Sequence, residues 1–449
     1  MTQDRSGFRR LSRRAVLKTG AGLAGLVTAP AIVRRAGAQS AFDWQRFKGQ
    51  KIEVSLAKGP RGDLVQKYRK EFEELTGITV GDEQIPEQQQ RQKVLIEFTS
   101  GRTTFDVVMI ALHVQKQLAH KGNWLEDLRP FLNDPSLTAP DYDFADFAPA
   151  GVDYVTYSDG VIGSVPINLD YFVLYWNKEL FAKKGVAYPK TYDDMVAAVR
   201  ALHDPKAGVS GWLGRGLKNA NMTPWANFIL NWGKDYIEHG KLQTDSPEGI
   251  ASAEAYARLV REFGPPGSVG FNWNECQSVF AQGRAAMWLD GIGFALPLED
   301  PTKSRVVGKV GYGVWPPGPK AHHTSLYGDG MGISRTTDKK GAAWLYCQWA
   351  TSKLMCARNL QGGYGSPARK SAYNSPETVA HFGAQREFLD AMIESAKIAR
   401  PGLPEIVAVT EFRDILGIAL TNIIGGADAA TELKKATAQF QPILDKENA

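Results

Sequence analysis

Three aspartates stand out because their neighbours do not favour a charge. Asp170 falls between two strand-like runs, Val161–Pro166 and Tyr171–Trp176, with Asn168 close by. Asp290 ends the apolar run Met287-Trp288-Leu289. Asp329 lies between Gly328 and Gly330, where glycine lets a ligand approach the backbone closely, although a turn aspartate would look the same. Two chemistries use such carboxylates. A pair flanking a scissile bond hydrolyses glycosides, and Asp170 and Asp290 could be cast in those roles. Alternatively, carboxylates accept charge-assisted hydrogen bonds from ligand hydroxyls. Sugars and polyols alternate hydroxyls with apolar C–H faces, so their sites also need aromatic platforms. Six tryptophans fall between positions 212 and 315, namely Trp212, Trp225, Trp232, Trp273, Trp288 and Trp315. Core packing accounts for most tryptophans. Trp225 and Trp273 follow polar clusters rather than apolar runs, and they are the candidates for stacking on a ligand.

Other constellations are missing. Gly20-Ala21-Gly22-Leu23-Ala24-Gly25 fits G-x-G-x-x-G, but no strand precedes it. There is no G-x-x-x-x-G-K-[ST], no G-x-S-x-G and no H-E-x-x-H among the seven histidines. His322 and His323 are adjacent and point apart on any regular element. Asp141, Asp143 and Asp146 hint at a calcium loop but lack its glycine and terminal glutamate, which favours a solvated acidic loop. Neither a cofactor nor a metal is expected.

The elements that must position these residues follow from hydrophobic periodicity. Lys51–Leu56 reads as a strand, and a polar loop over 58–63 follows it. Leu64, Tyr68, Phe72 and Leu75 share one helix face, Gly77 is a C-cap, and a second strand begins at Ile78. This β-α-β unit implies a parallel sheet with right-handed crossovers, whose ligands bind beyond the C-terminal strand ends. Lys58 and Arg61 of the 58–63 loop are therefore site candidates. A helix over 88–98 and a buried strand over 105–110 follow, the strand ending at Ala111-Leu112-His113. Thr191 and Asp194 predict a capped helix to Leu202. Asn219, Asn221 and Trp225 lie in a glycine- and tryptophan-rich stretch, and a helix is expected over 247–263.

The chain has 449 residues, too many for one compact core, so two domains are expected. Ser12-Arg13-Arg14-Ala15-Val16-Leu17-Lys18 resembles a twin-arginine export motif. A mild apolar segment over 19–33 follows, then Ala36-Gly37-Ala38 as a cleavage site. A membrane anchor is the alternative, but the segment is short for a span of about 20 residues. No cysteine lies near the cleavage site, so a lipid anchor is not expected. Residues 1–38 hold eight basic residues and one acidic residue. The remainder has 45 basic and 47 acidic residues, a net of −2, which leaves no nucleic-acid footprint. Cys276, Cys347 and Cys356 are expected as buried apolar residues. The last two would be about 13.5 Å apart on one helix, too far for a disulfide.

Taken in order, these motifs resemble the family 1 extracellular solute-binding proteins, periplasmic receptors of ABC importers similar in plan to maltose-binding protein. The central stretch Asp159–Phe181 carries the likeness most clearly, in Asp159-Gly160, Gly163, Pro166, Asp170 and Leu174-Tyr175-Trp176-Asn177-Lys178-Glu179-Leu180-Phe181. Phe72-Glu-Glu-Leu-Thr-Gly-Ile-Thr-Val80 and Gly283-Arg-Ala-Ala-Met287 also match, and the likeness spans nearly all of residues 50–445. Phe105 stands where the family usually has proline. The resemblance implies an α/β, two-lobed periplasmic binding protein fold of type II with a ligand cleft between the lobes. It implies crossings near 166, 315 and 361. One lobe would be 39–166 with 315–361, and the other 167–314 with 362–449. It also implies that Asp170 and Asp290 bind ligand, that the loop at His113 lines the cleft, and that Asp329 faces it. The crossing at Tyr364 completes the expected set with Asn168. The expected activity is capture of a sugar or sugar alcohol by hinge closure, without catalysis, and delivery to membrane permease subunits. The expected protein is a periplasmic monomer cleaved after about Ala38. The rival class is an exported carbohydrate-active enzyme using Asp170 and Asp290.

Overall fold

The computed structural model describes residues 42–382 and 386–447. The expected export signal lies outside them. Eleven strands are present among the described residues: β1 Lys51–Ala57, β2 Thr79–Ile85, β3 Val107–Ala111, β4 Val165–Asn177, β5 Ser210–Leu213, β6 Ile237–Glu238, β7 Lys241–Leu242, β8 Ala285–Gly291, β9 Val310–Gly313, β10 Thr324–Ile333 and β11 Ala399–Pro401. Nine form one sheet, along the path β2-β1-β3-β10-β4-β8-β5 with β11 on β10 and β9 on β4. β1 pairs with β2 and β3 in parallel, as the β-α-β reading requires. β6 and β7 make a separate hairpin.

β4 joins the two halves of the sheet. The sequence suggests two strands with a break at Asn168–Asp170, but the chain runs unbroken for thirteen residues, about 40 Å of extended backbone. Its first half pairs with β10, from Val165 opposite Met331 to Tyr171 opposite Leu326. Its second half pairs with β8 and β9, from Phe172 opposite Gly291 to Asn177 opposite Val310. The two polar residues do not break the strand because their carbonyl and carboxyl oxygens find donors. Asn168 accepts from the backbone N–H of Ser366 at 2.8 Å, and Asp170 accepts from that of Gly293 at 2.9 Å.

Apolar packing divides on either side of this strand. One core gathers residues of β1, β3 and the first half of β4 with Met331 and Trp344. A second core gathers Phe172, Trp212, Trp225, Leu289 and Trp315 with the closing helices Val409–Ile424 and Ala429–Glu447. A third sits beside the second, around Tyr175, Trp288 and Phe388. β4 and the stretch 314–326 run from one side to the other, and the stretch 355–372 passes back and forth, with Met355 and Ala368 in the first core and Cys356, Leu360 and Ala372 in the third.

Local sequence explains several boundaries. Pro60 opens the helix Pro60–Thr76, where a missing N–H is harmless, so the expected loop over 58–63 shrinks to Lys58-Gly59. Leu75 of that helix is exposed rather than on its buried face. Thr191 and Asp194 form the reciprocal capping box of the helix Tyr192–Leu202. Ser246 caps Pro247–Phe263 by accepting from Gly249 N. The helix expected around Cys347 and Cys356 is two helices, Lys340–Ala350 and Lys353–Gln361, because Ser352 turns to cap the second. All three cysteines are buried free thiols.

Candidate functional site

A cleft opens where the two halves of the sheet meet. From the first-core side it is lined by Lys58, Arg61, Glu87, Arg91, His113 and Asp329. From the other side come Arg215, Trp273, Phe294 and Arg413, while Asp170, Phe172 and Tyr327 belong to the joining strands. The open space measures about 120 Å³.

The first wall is a set of ion pairs on helix starts. Arg61, in the first turn of Pro60–Thr76, places its Nε 2.6 Å from Asp329 Oδ2. Burial alone would lower the pKa of Arg61; Asp329, with help from Asp170 and Glu87, raises it instead. Glu87 and Arg91, one turn apart on the helix Glu87–Ser100, pair with each other. Arg91, working against burial, holds the Glu87 carboxyl below its usual range. Arg91 Nη2 also lies 3.2 Å from His113 Nε2. An arginine can only donate, so Nε2 accepts and the ring proton sits on Nδ1, which faces Gly328 O at 3.5 Å. Burial, with Arg91 beside it, pushes the His113 pKa well below the usual value and keeps the ring neutral.

The floor is Asp170. Its carboxylate is buried, forms no ion pair within 4 Å among the described residues, and accepts from Gly293 N. Burial pushes its pKa up to about 6, against the pull of Arg61 and the Gly293 N–H. Gly291 and Gly293 make room for it. A Cβ at Gly291 would sit 2.5 Å from Asp170 Oδ2.

The second wall pairs Arg215, just past β5, with Asp290 on β8. Arg215 Nε donates to Asp290 Oδ2 at 2.9 Å and Nη2 donates to Oδ1, a bidentate geometry. Asp290 also accepts from Trp288 Nε1 at 3.2 Å and from Gly291 N at 2.8 Å. The guanidinium lies 5.6 Å from the ring centres of both Phe172 and Phe294. Trp273, first residue of the helix Trp273–Ala281, stacks on Phe294 at 4.7 Å and 7°. Trp273 and Phe294 are only partly buried, so they present an aromatic edge to the cleft.

Six of the residues expected from the sequence therefore meet here: Lys58, Arg61, His113, Asp170, Trp273 and Asp329. The others do not line the cleft. Asp290 is fully buried behind Arg215. Trp225 is a core residue whose Nε1 donates to Ser252 Oγ at 2.9 Å; it lies on a helix, Met222–Asn231, that is buried on every side, so the polar residues before it do not mark a surface. Asn221 donates to Gly417 O and Thr421 Oγ1 and fastens that helix to Val409–Ile424. Asn219, at φ 72°, donates to Asp414 Oδ1 in the same turn. Asn168 Oδ1 accepts from Ser366 N, and its buried Nδ2 has no partner among the described residues. Tyr364 accepts from Lys67 Nζ at 3.2 Å. Arg215, Arg413, Glu87, Arg91, Phe172, Phe294 and Tyr327 were not foreseen. Arg413 left one signal, a charge on the stripe Val409, Phe412, Leu416, Leu420 that is otherwise buried and apolar.

With this geometry in view, comparison with known proteins is decisive for the class. Residues 58–353 match the bacterial extracellular solute-binding protein family, and the chain belongs to it. Among particular relatives, it is 26% identical to the erythritol/L-threitol-binding protein of Mycolicibacterium smegmatis, over 88% of this chain and 86% of that one. It is 27% identical to a probable amino-acid ABC transporter periplasmic-binding protein of Sinorhizobium fredii, over 80% and 82%. The fold superposes on an ABC transporter solute-binding protein of Agrobacterium radiobacter crystallised with ribitol, with a TM-score of 0.81, 26% identity and coverage of 88% and 99%. The fold is thus the two-lobed binding-protein fold. No helix among the described residues is long and apolar enough to cross a membrane.

Proposed function

We propose that this chain is the periplasmic solute-binding component of an ABC importer, that it captures a small sugar or sugar alcohol by closing two lobes over it, and that it passes the solute to the membrane permease without chemistry. The lobes would be the two sides of β4, hinged at β4, at 314–326 and at 356–372. The observation that carries the reading is the cleft itself, where an aromatic edge from one side faces fixed charges from the other. Hydroxyls suit Asp170 and the paired arginines, and C–H faces suit Trp273 and Phe294. The open space falls below the 300–1,000 Å³ of pockets for drug-sized ligands, which favours a ligand no larger than a monosaccharide. The ligands of the relatives named with erythritol and ribitol are of that size. The hydrolase alternative needs Asp290 at the scissile bond, and Asp290 is instead buried against Arg215.

A thermal-shift panel of tetritols, pentitols, hexitols, monosaccharides and amino acids tests the class. A binder should raise the melting temperature, since only the native state binds. It should also reduce the radius of gyration in X-ray scattering. Turnover of a glycoside, or tight binding of amino acids alone, overturns the reading.

A further inference from the structure

Four arginines line the cleft, and three have a carboxylate: Arg61 has Asp329, Arg91 has Glu87 and Arg215 has Asp290. Arg413 has none among the described residues. It is only 6% exposed, so the lack is not made good by bulk water. Its Nη2 donates to Asn219 O at 3.1 Å, and neither its buried Nε nor its Nη1 has an acceptor among the described residues. The charges acting on it make matters worse, since Arg91 and Arg215 repel it and Glu87 is already held by Arg91. Burial, then Arg91, pushes its pKa down to about 10, which still leaves it charged at neutral pH. An uncompensated buried charge destabilises a fold. The place is not a surface accident, because Arg413 falls on the buried stripe of its helix.

We propose that Arg413 is an anion subsite, and that the physiological ligand is a small polyhydroxylated acid whose carboxylate supplies the missing counter-charge. The inference rests on the small-carbohydrate reading above and narrows it from neutral polyols to sugar acids. The end of the guanidinium, Nη1 with the second N–H of Nη2, is a fork that matches the two oxygens of a carboxylate. One missing negative charge calls for a carboxylate rather than a phosphate, which carries about −1.5 to −2 at pH 7. Asp170 and the Trp273–Phe294 edge remain for the hydroxyl-bearing part of the ligand.

The test uses calorimetry on the purified full chain with a hexitol, its aldonate, the matching uronate and the sugar 6-phosphate. The aldonate or uronate should bind at least tenfold more tightly than the hexitol. Arg413→Gln should remove that preference, weakening the acids at least tenfold more than the hexitol. Arg413→Lys, which keeps the charge but not the fork, should fall between. The unliganded Arg413→Gln protein should melt no lower than the parent, which a purely structural arginine would not allow. A hexitol that binds as tightly as the acids, or an Arg413→Gln that weakens acid and hexitol alike, overturns the subsite and leaves the polyol reading standing. Preference for the phosphate overturns the carboxylate assignment. Binding of no carbohydrate of any kind removes the underlying reading as well.

Discussion

Asp170 and Asp290 are both buried, lie on adjacent antiparallel strands, and look alike in the sequence. Their surroundings separate them. Asp290 receives two donors from Arg215, one from Trp288 and one from its own strand's end, and it is fully enclosed. Asp170 receives one backbone donor, has no ion pair within 4 Å among the described residues, and faces the cleft. The Arg215–Asp290 pair is a finished structure that holds one wall in place. Asp170 and Arg413 are unfinished, each charged or chargeable and each short of a partner. A binding site is built from groups of the second kind, held by groups of the first.

The strongest way to break this contrast is Arg215→Ala. It leaves a fully buried carboxylate without its counter-charge, and removing one member of a buried pair costs about 3–5 kcal/mol. Urea unfolding should show that loss. Arg215 also backs the cleft, so binding should fall with it. A loss under 1 kcal/mol would mean that the two aspartates differ less than their geometry indicates.

Asp170→Asn should act in the opposite sense on stability. Burial raises the folded-state pKa of Asp170 from 3.8 to about 6. A raised carboxyl favours folding at low pH and penalises it as pH climbs through that window. The penalty is absent near pH 3.5, grows between about 4 and 6, and reaches on the order of 2–3 kcal/mol above pH 7. The unliganded Asp170→Asn protein should therefore melt higher than the parent at pH 8 and match it at pH 3.5. Ligand affinity should drop about tenfold or more, since bonds to a charged acceptor contribute about 1.5–3 kcal/mol. A variant that melts lower at pH 8 would place Asp170 with Asp290 as a structural residue.

The difference between the two aspartates explains what the sequence could reveal. Strand and helix periods, Thr191 with Asp194, and Ser246 before Pro247–Phe263 are local, and local chemistry sets them. The break suggested at Asn168 and Asp170 fails because the donors that allow a continuous strand come from Ser366 and Gly293, far along the chain. The same holds for the site. Asp170 is visible as a charge out of place, but its openness depends on which arginine the fold delivers to Asp290. That arginine is 75 residues away and follows a glycine with no pattern to mark it. Trp225 and Trp273 each follow asparagines, and only packing tells that one sits inside a wholly buried helix while the other begins a helix at the rim.

Trp273→Ala carries the contrast to the aromatic residues, with the smallest effect. Trp273 is partly buried and stacks on Phe294, which in turn lies over Trp288 at 6.2 Å. Its helix keeps an independent start, because Glu275 Oε2 accepts from the backbone N–H of Asn272 at 2.8 Å, a bond that does not involve the indole. The fold therefore loses little beyond one exposed stacking contact, worth about 0.5–1.5 kcal/mol. If Trp273 supplies the apolar face for a ligand, affinity should fall by a similar free energy, about two- to twelvefold, and Trp273→Phe should restore most of it. The enthalpy and affinity of binding, measured together with the unliganded melting temperature, decide the case. An unchanged affinity with a lowered melting temperature would assign Trp273 to packing, beside Trp225, and leave Phe294 and Phe172 as the apolar contacts of the cleft.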